Sequence, residues 1–262
     1  MPGELRVDEP AEGVLRLTIA NPAKRGALDH AILDGIAQAL DGVERRARVV
    51  VLQGADGQFS SGYDIGDIPD DVFEVEAEKL VAHPFTAALD ALEACDVPTV
   101  AALTGHTIGG GLELAVTCDF RVAGDGIRLG MPPARLGLVY SHTGLRRFID
   151  TVGVPRTREL FLRGRYVDAR EAHEWALVTE VVAPDEVESA ALALAGELVA
   201  NAPLSLSGNK RVIRELLAAQ GELTTEVEEQ LIALRRACFA SEDFREGVRA
   251  FGERRPADWQ GR

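Results

Sequence analysis

The stretch Gly105-His106-Thr107-Ile108-Gly109-Gly110-Gly111-Leu112-Glu113-Leu114-Ala115-Val116-Thr117-Cys118-Asp119 decides how this chain is read. It follows a continuous apolar run, Thr99 to Leu103, of the kind expected for a strand covered on both faces. Its glycine triplet opens a short apolar helix, Leu112 to Val116. Amides at a helix start have no carbonyl partner inside the helix, and the helix dipole favours negative charge there. A developing oxyanion is therefore stabilised at Gly110. Glu113 stands three residues further on, close to one turn, so its side chain projects near the same helix end and can exchange a proton with whatever the amide holds. Read alone, the same residues also describe a tight turn followed by an acidic first-turn residue.

Outward from that stretch, the chain alternates strand and helix signals. Val14 to Ala20 has the period-two pattern of a half-buried strand through Leu15, Leu17 and Ile19, and Asn21-Pro22 ends it. A helix is expected from Asp29, with Ile32, Leu33, Ile36 and Leu40 on one face. Val49 to Leu52 reads as a second buried strand closed by Gly54, and the Gly-, Ser- and Asp-rich segment from Ala55 to Asp71 as a loop. A helix within Val72 to Glu93 must bend near Pro84. Short strands are expected at Phe120 to Val122 and Ile127 to Leu129. From about His142 the chain reads as mostly helical, with Asp168, Asp185 and Thr224 as N-caps. The pattern is α/β with a helical C-terminal part, and periodicity alone favours a doubly wound sheet.

Composition narrows the function classes. The 262 residues are 46% hydrophobic, enough for a sizeable core. With 42 acidic against 28 basic residues the formal charge is -14, which repels polyanions and argues against nucleic acid as a partner. Cys95, Cys118 and Cys238 have neither zinc-ligand nor redox spacing and read as reduced, buried thiols, which suits the cytoplasm. No metal site is expected. Residues 1 to 10 lack the basic-then-apolar order of a secretory signal, and no apolar run reaches membrane-spanning length.

A second segment, Phe59-Ser60-Ser61-Gly62-Tyr63-Asp64-Ile65, places Tyr63 47 residues before Gly110. Together the two segments resemble the paired signature of the crotonase (enoyl-CoA hydratase/isomerase) superfamily. The resemblance extends to Asn21 to Leu28, Val97 to Thr99, Cys118-Asp119 and Ser241 to Phe251. It implies an α/β fold, a spiral of ββα units, with an acyl-CoA-binding core over residues 1–200 and a helical region over 201–262 involved in oligomerisation. The implied assembly is a homotrimer or a dimer of trimers. By resemblance, the backbone N–H groups of Tyr63 and Gly110 form the oxyanion hole for a thioester carbonyl, and Glu113 is a catalytic carboxylate. Coenzyme A is implied to lie against Lys24, Arg25, Ala27, Ser61, Asp64 and Ile65, with Phe251 and Arg254 reaching the coenzyme of a neighbouring subunit. No separate cofactor is implied, because coenzyme A is part of the substrate.

The sequence departs from the family pattern at one point. Hydratases of the family place a second glutamate in the segment that here reads Gly130 to Gly137, and the matching residue is Pro133. Proline neither gives nor takes a proton, so addition of water with two carboxylates is not provided for. Three readings remain: isomerisation with one base, decarboxylation, and hydration by a water held by other groups. The stretch Met131 to Tyr140 and the residues Ser241 to Gly247 are most similar to the methylmalonyl-CoA decarboxylase branch, which has a tyrosine matching Tyr140. By itself Tyr140 also reads as an amphipathic core residue. His142 is a secondary pocket candidate, His106 reads as a hydrogen-bonded structural histidine, and Arg135 either meets an acidic group or faces solvent. Non-enzymatic alternatives are a coenzyme A-binding scaffold or an RNA-binding relative, the latter opposed by the charge.

Overall fold

The computed structural model describes residues 3–63, 81–220 and 223–261. The strands are β1 (Glu4–Ala11), β2 (Val14–Ala20), β3 (Val49–Gly54), β4 (Thr99–Leu103), β5 (Thr107–Ile108), β6 (Phe120–Gly124), β7 (Arg128–Gly130), β8 (Tyr166–Asp168) and β9 (Glu180–Val182). The helices among the described residues are α1 (His30–Leu40), α2 (Thr86–Ala94), α3 (Gly110–Thr117), α4 (His142–Phe161), α5 (Ala169–Glu174), α6 (Val187–Ala200), α7 (Pro203–Ala219), α8 (Thr225–Phe239) and α9 (Glu242–Glu253).

A large sheet has the order β1-β2-β3-β4-β6-β9, parallel throughout except for the antiparallel β1/β2 pair. A smaller sheet runs β5-β7-β8. Each pass of the chain lays one strand in the large sheet and the next segment beside the small one. β4 is followed by β5, β6 by β7, and β3 by Ser60, which bridges to Thr107. That repetition is a spiral, not a double winding. The sequence periods could not show it because β5 is two residues long and Ser60 pairs alone.

Residue alternation in the strands explains the layering. Leu15, Leu17, Ile19, Val50 and Leu52 turn toward one cluster, which α1 covers with Ile32, Leu33 and Ile36. Val49, Val51, Val100 and Val122 turn to the other face, where α6 covers them with Val187, Ala191, Ala195 and Leu198. β3 is therefore buried along its whole length, as its continuous apolar run predicts.

Several expectations are corrected. β1 was missed because it is an edge strand with a largely exposed, charged sequence. β8 and β9, three residues each, interrupt the region read as helical. Asp168 and Thr224 do cap α5 and α8, but α6 begins after Glu186 with no side-chain cap, so Asp185 is not one. The break at Pro84 is a π-helical turn, Val81–Phe85, leading into α2; the expected helix upstream of it lies outside the described residues. Cys95 and Cys118 are buried, but Cys238 is only partly so. No single helix among the described residues is long and apolar enough to cross a membrane.

The helix α3 that carries the glycine triplet is anchored at its far end by Arg121, which is 7% exposed. Its guanidinium donates to the carbonyls of Ala115, Val116, Cys118 and Leu177. Burial pulls its pKa below the usual arginine value, yet the carbonyls at a helix C-terminus are the partners a cation prefers. Replacing Arg121 with Met removes this donor from all four carbonyls, of which that of Ala115 keeps the Cys118 amide, and stability is expected to fall by about 2–3 kcal/mol. The check is a lower midpoint in urea unfolding.

Candidate active site

Two loops and one helix meet at the start of α3. Gly62 has φ +97°, a conformation that a side chain resists, and it turns the chain so that Tyr63 pairs with Leu28. A Cβ on Gly62 would lie 3.3 Å from the Gly110 nitrogen, which puts the Gly62-Tyr63 peptide beside the first amide of α3. Gly111 has no room for a side chain, since a Cβ there would lie 2.5 Å from the Ser60 Cβ. The triplet is thus a packing requirement as well as a helix start.

Glu113 is 1% exposed, one turn into α3. Its Oε2 accepts a 2.5 Å hydrogen bond from the Tyr140 hydroxyl, and its Oε1 accepts one from Arg147 Nη1 on α4 at 3.1 Å. Burial pushes the carboxyl above the usual range, while Tyr140 and Arg147 pull it back. Burial also holds the phenols of Tyr63 and Tyr140 well above the ordinary tyrosine value, reinforced by the adjacent Glu113 charge, so both stay protonated donors. Tyr140 spends its proton on Glu113, and its oxygen is hydrogen-bonded to the Tyr63 hydroxyl.

Around this pair lies a cavity of about 20 Å³, room for about one water molecule. Tyr63, Phe85, Leu89 and Tyr140 line it, and α8 closes it with Arg235 and Phe239. The Tyr63 ring packs edge-on to Phe85 at 4.5 Å and covers Gly110, where a Cβ would lie 3.1 Å from it. Glu113 is the carboxylate among the described lining residues. Pro133 is buried in the turn before the cavity, where its carbonyl accepts from the amides of Leu136 and Leu138.

Other candidate residues fall as follows. The loop of Lys24, Arg25 and Ala27 is laced to the Tyr63 loop: Ser61 donates through Oγ to the Lys24 carbonyl and through N to that of Arg25, and Leu28 N donates to the Gly62 carbonyl. Asp64 and Ile65 lie outside the described residues. Phe251 is exposed and lines a separate surface depression with Arg135 and Trp259, and Arg254 ends α9 in the left-handed conformation. His142 starts α4 and faces Glu228 at 3.6 Å rather than lining the cavity. His106 accepts from the Arg128 amide, and Arg135 stacks on Tyr166 at 5.0 Å. No group of three or more His, Cys, Asp or Glu among the described residues could hold a metal ion.

Sequence reasoning missed Arg147, the Tyr63 side chain, and the α8 pair Arg235 and Phe239. A signal for Arg147 existed. It falls with Gly144, Phe148 and Thr151 on one helical stripe, and an arginine on that stripe needs an anion.

Residues 9–262 match the model of the enoyl-CoA hydratase/isomerase family. The chain belongs to that family. The 2,3-dehydroadipyl-CoA hydratase of Escherichia coli (strain K12) is 32% identical over 255 residues, covering 95% of this chain and 96% of that one. The solved enoyl-CoA hydratase/isomerase from Pseudoalteromonas atlantica T6c is similar with a TM-score of 0.82 at 28% identity, over 98% of this chain and 100% of that one. Methylmalonyl-CoA decarboxylase in complex with 2-nitronate-propionyl-CoA shares the fold with a TM-score of 0.88 at 24% identity, over 99% of both chains. Membership in the family makes this an acyl-CoA enzyme, and the spiral and helical C-terminal region are those of its relatives.

Proposed function

We propose that this enzyme forms a thioester enolate held by the N–H groups of Tyr63 and Gly110, and that the Glu113–Tyr140 pair moves the proton at the α-carbon. The observation that carries this reading is Glu113, the one buried carboxylate among the described residues, hydrogen-bonded at 2.5 Å to a phenol, one turn from the Gly110 amide. Two fixed N–H donors lower the energy of the oxyanion without reorganising during the reaction. Glu113, whose pKa burial raises while Tyr140 and Arg147 favour its ionised form, is placed to act as the one base of a double-bond isomerisation. The ring of Tyr63 must swing away from Gly110 for a thioester to reach both amides, since the ring covers Gly110 and the cavity holds about one water.

A second reading, decarboxylation of an alkylmalonyl-CoA, is favoured by Pro133 and by the position of Tyr140. The bond from Cα to the carboxylate breaks, carbon dioxide leaves, and the electron pair passes into the thioester as enolate. A proton from the Glu113–Tyr140 pair then completes the product. The apolar wall of Phe85 and Leu89 disfavours a carboxylate in the ground state, which is what that reaction needs.

Coenzyme A is placed, in this proposal, along the laced loops at Lys24, Arg25, Ala27 and Ser61, and the family resemblance adds Asp64 and Ile65. The assembly is a trimer or dimer of trimers, with Phe251 and Arg254 contributing to a neighbour's coenzyme. Supporting it, α7 has no buried residue and exposes Leu204, Val212, Ile213 and Leu216, although Lys210 ties it to Asp119 at 2.7 Å. The cytoplasm is the proposed compartment.

The deciding experiment assays crotonyl-CoA, a 3-enoyl-CoA, methylmalonyl-CoA and ethylmalonyl-CoA with the same preparation. Hydration of crotonyl-CoA is expected to be slow. Turnover of the 3-enoyl-CoA supports the isomerase, and release of carbon dioxide supports the decarboxylase. In either case Tyr140→Phe should lower kcat more than it raises KM. Fast hydration with neither other reaction would overturn both readings.

A further inference from the structure

We propose that Arg147 is a positioning residue that keeps Glu113 ionised and aims its Oε2 at Tyr140, and that Glu93 at the protein surface moderates this effect. The proposal rests on the reading of Glu113 as the proton-transfer carboxylate. Its test does not depend on turnover.

The geometry is a chain of alternating charge running outward through one wall of the site. Glu113 on α3 is 1% exposed, Arg147 on α4 is 14% exposed, and Glu93 on α2 is 50% exposed. Arg147 Nη1 donates to Glu113 Oε1 at 3.1 Å, while its Nη2 and Nε donate to Glu93 Oε2 at 2.7 and 3.2 Å. Asp90, one turn earlier on α2, lies 3.7 Å from Nη2. The guanidinium is therefore shared between a buried carboxylate and two at the surface. Held by one oxygen, Glu113 has only its other oxygen to offer to the site, and that oxygen meets the Tyr140 hydroxyl. Arg147 and Glu93 also line a groove of about 650 Å³ on the far side of the wall, so the outer end of the chain is open to solvent.

An isolated carboxylate in so dry a place would take up a proton and lose its capacity as a base. The groups that face Glu113 are Tyr140 before α4, Arg147 on α4, Tyr63 after β3, Glu93 on α2 acting through Arg147, and Arg235 on α8 across the cavity. Of these, Arg147 is the cation in direct contact. Tyr140 favours the ionised form by donating to it, whereas Glu93 opposes it by repulsion. Removing Arg147 therefore raises the pH at which Glu113 ionises, and removing the charge of Glu93 lowers it. The opposite signs distinguish electrostatic positioning from a merely structural tie, because loss of packing does not predict a change of sign between two neighbours.

The test is a titration of carboxyl-labelled (13C) glutamates by NMR, with the Glu113 signal assigned by its loss in Glu113→Gln. Arg147→Gln is expected to move the Glu113 midpoint upward by about one to three pH units. Arg147→Lys should restore most of the shift, and Glu93→Gln should move the midpoint downward. On any substrate that the enzyme turns over, the Glu113 limb of the kcat/KM profile should shift in the same directions. An unchanged midpoint in folded Arg147→Gln overturns the proposal. Should that variant fail to fold, Glu93→Gln and Arg147→Lys decide it, and an upward or absent shift in Glu93→Gln overturns it equally. Normal titration shifts in a protein inactive on every acyl-CoA tested would leave this electrostatic arrangement standing while removing the proposed reaction.

Discussion

Gly110→Pro is expected to lower kcat/KM by about a hundredfold to a thousandfold, the usual loss for one oxyanion donor. Gly110 is the first residue of α3, where proline is tolerated and its missing N–H costs the helix no internal hydrogen bond. The substitution has a second effect, however, because any Cβ at this position meets the Tyr63 ring at 3.1–3.3 Å. Gly110→Ala brings the same Cβ but keeps the N–H, and so isolates the steric part. The assignment of the amide holds if Gly110→Pro loses at least tenfold more activity than Gly110→Ala in protein with an intact circular dichroism melt. Equal losses would mean that the ring of Tyr63, not the amide, is what Gly110 serves.

Glu113→Gln is expected to lower turnover by about a hundredfold or more, since the amide cannot take a proton at the pH of the reaction. The structure adds a condition on stability. Burial is the largest influence on Glu113 and disfavours its charge, so neutral Gln relieves a penalty while Arg147 retains Glu93. The melting temperature should therefore hold steady or rise as activity falls. A structural role for Glu113 predicts the reverse: a lower melting temperature with near-normal turnover in the folded fraction.

Much of the framework was legible because burial leaves a period in the sequence. The alternation of Leu15, Leu17 and Ile19, the apolar runs at residues 49–52 and 99–103, and the helical spacing of Ile32, Leu33, Ile36 and Leu40 all correspond to elements at those positions. What was not legible has no period. β5, β8 and β9 are two or three residues long, and they are strands only because a partner strand is present. At the site, Glu113 and Tyr140 could each be named, but their contact joins residues 27 positions apart. Arg147 lies 34 residues from Glu113 and Glu93 54 residues from Arg147, so their ion pairs exist only once α2, α3 and α4 are packed. α8 was expected as a helix, whereas its closing of the site by Arg235 and Phe239 follows from its path back over the core.

The cap on α3 reaches further than stability. A helix of eight residues is about 12 Å long. At that length, the partial negative charge at its far end would weaken the field that the near end offers to an enolate. Arg121 reverses this by placing a full positive charge on those carbonyls. Across about 12 Å, at an effective dielectric constant of about 20, that charge favours an enolate oxygen at Gly110 by about 1 kcal/mol. In the proposed reaction Arg121 thus acts as a remote counter-ion at the far end of α3, and part of the rate is set about 12 Å from the enolate oxygen.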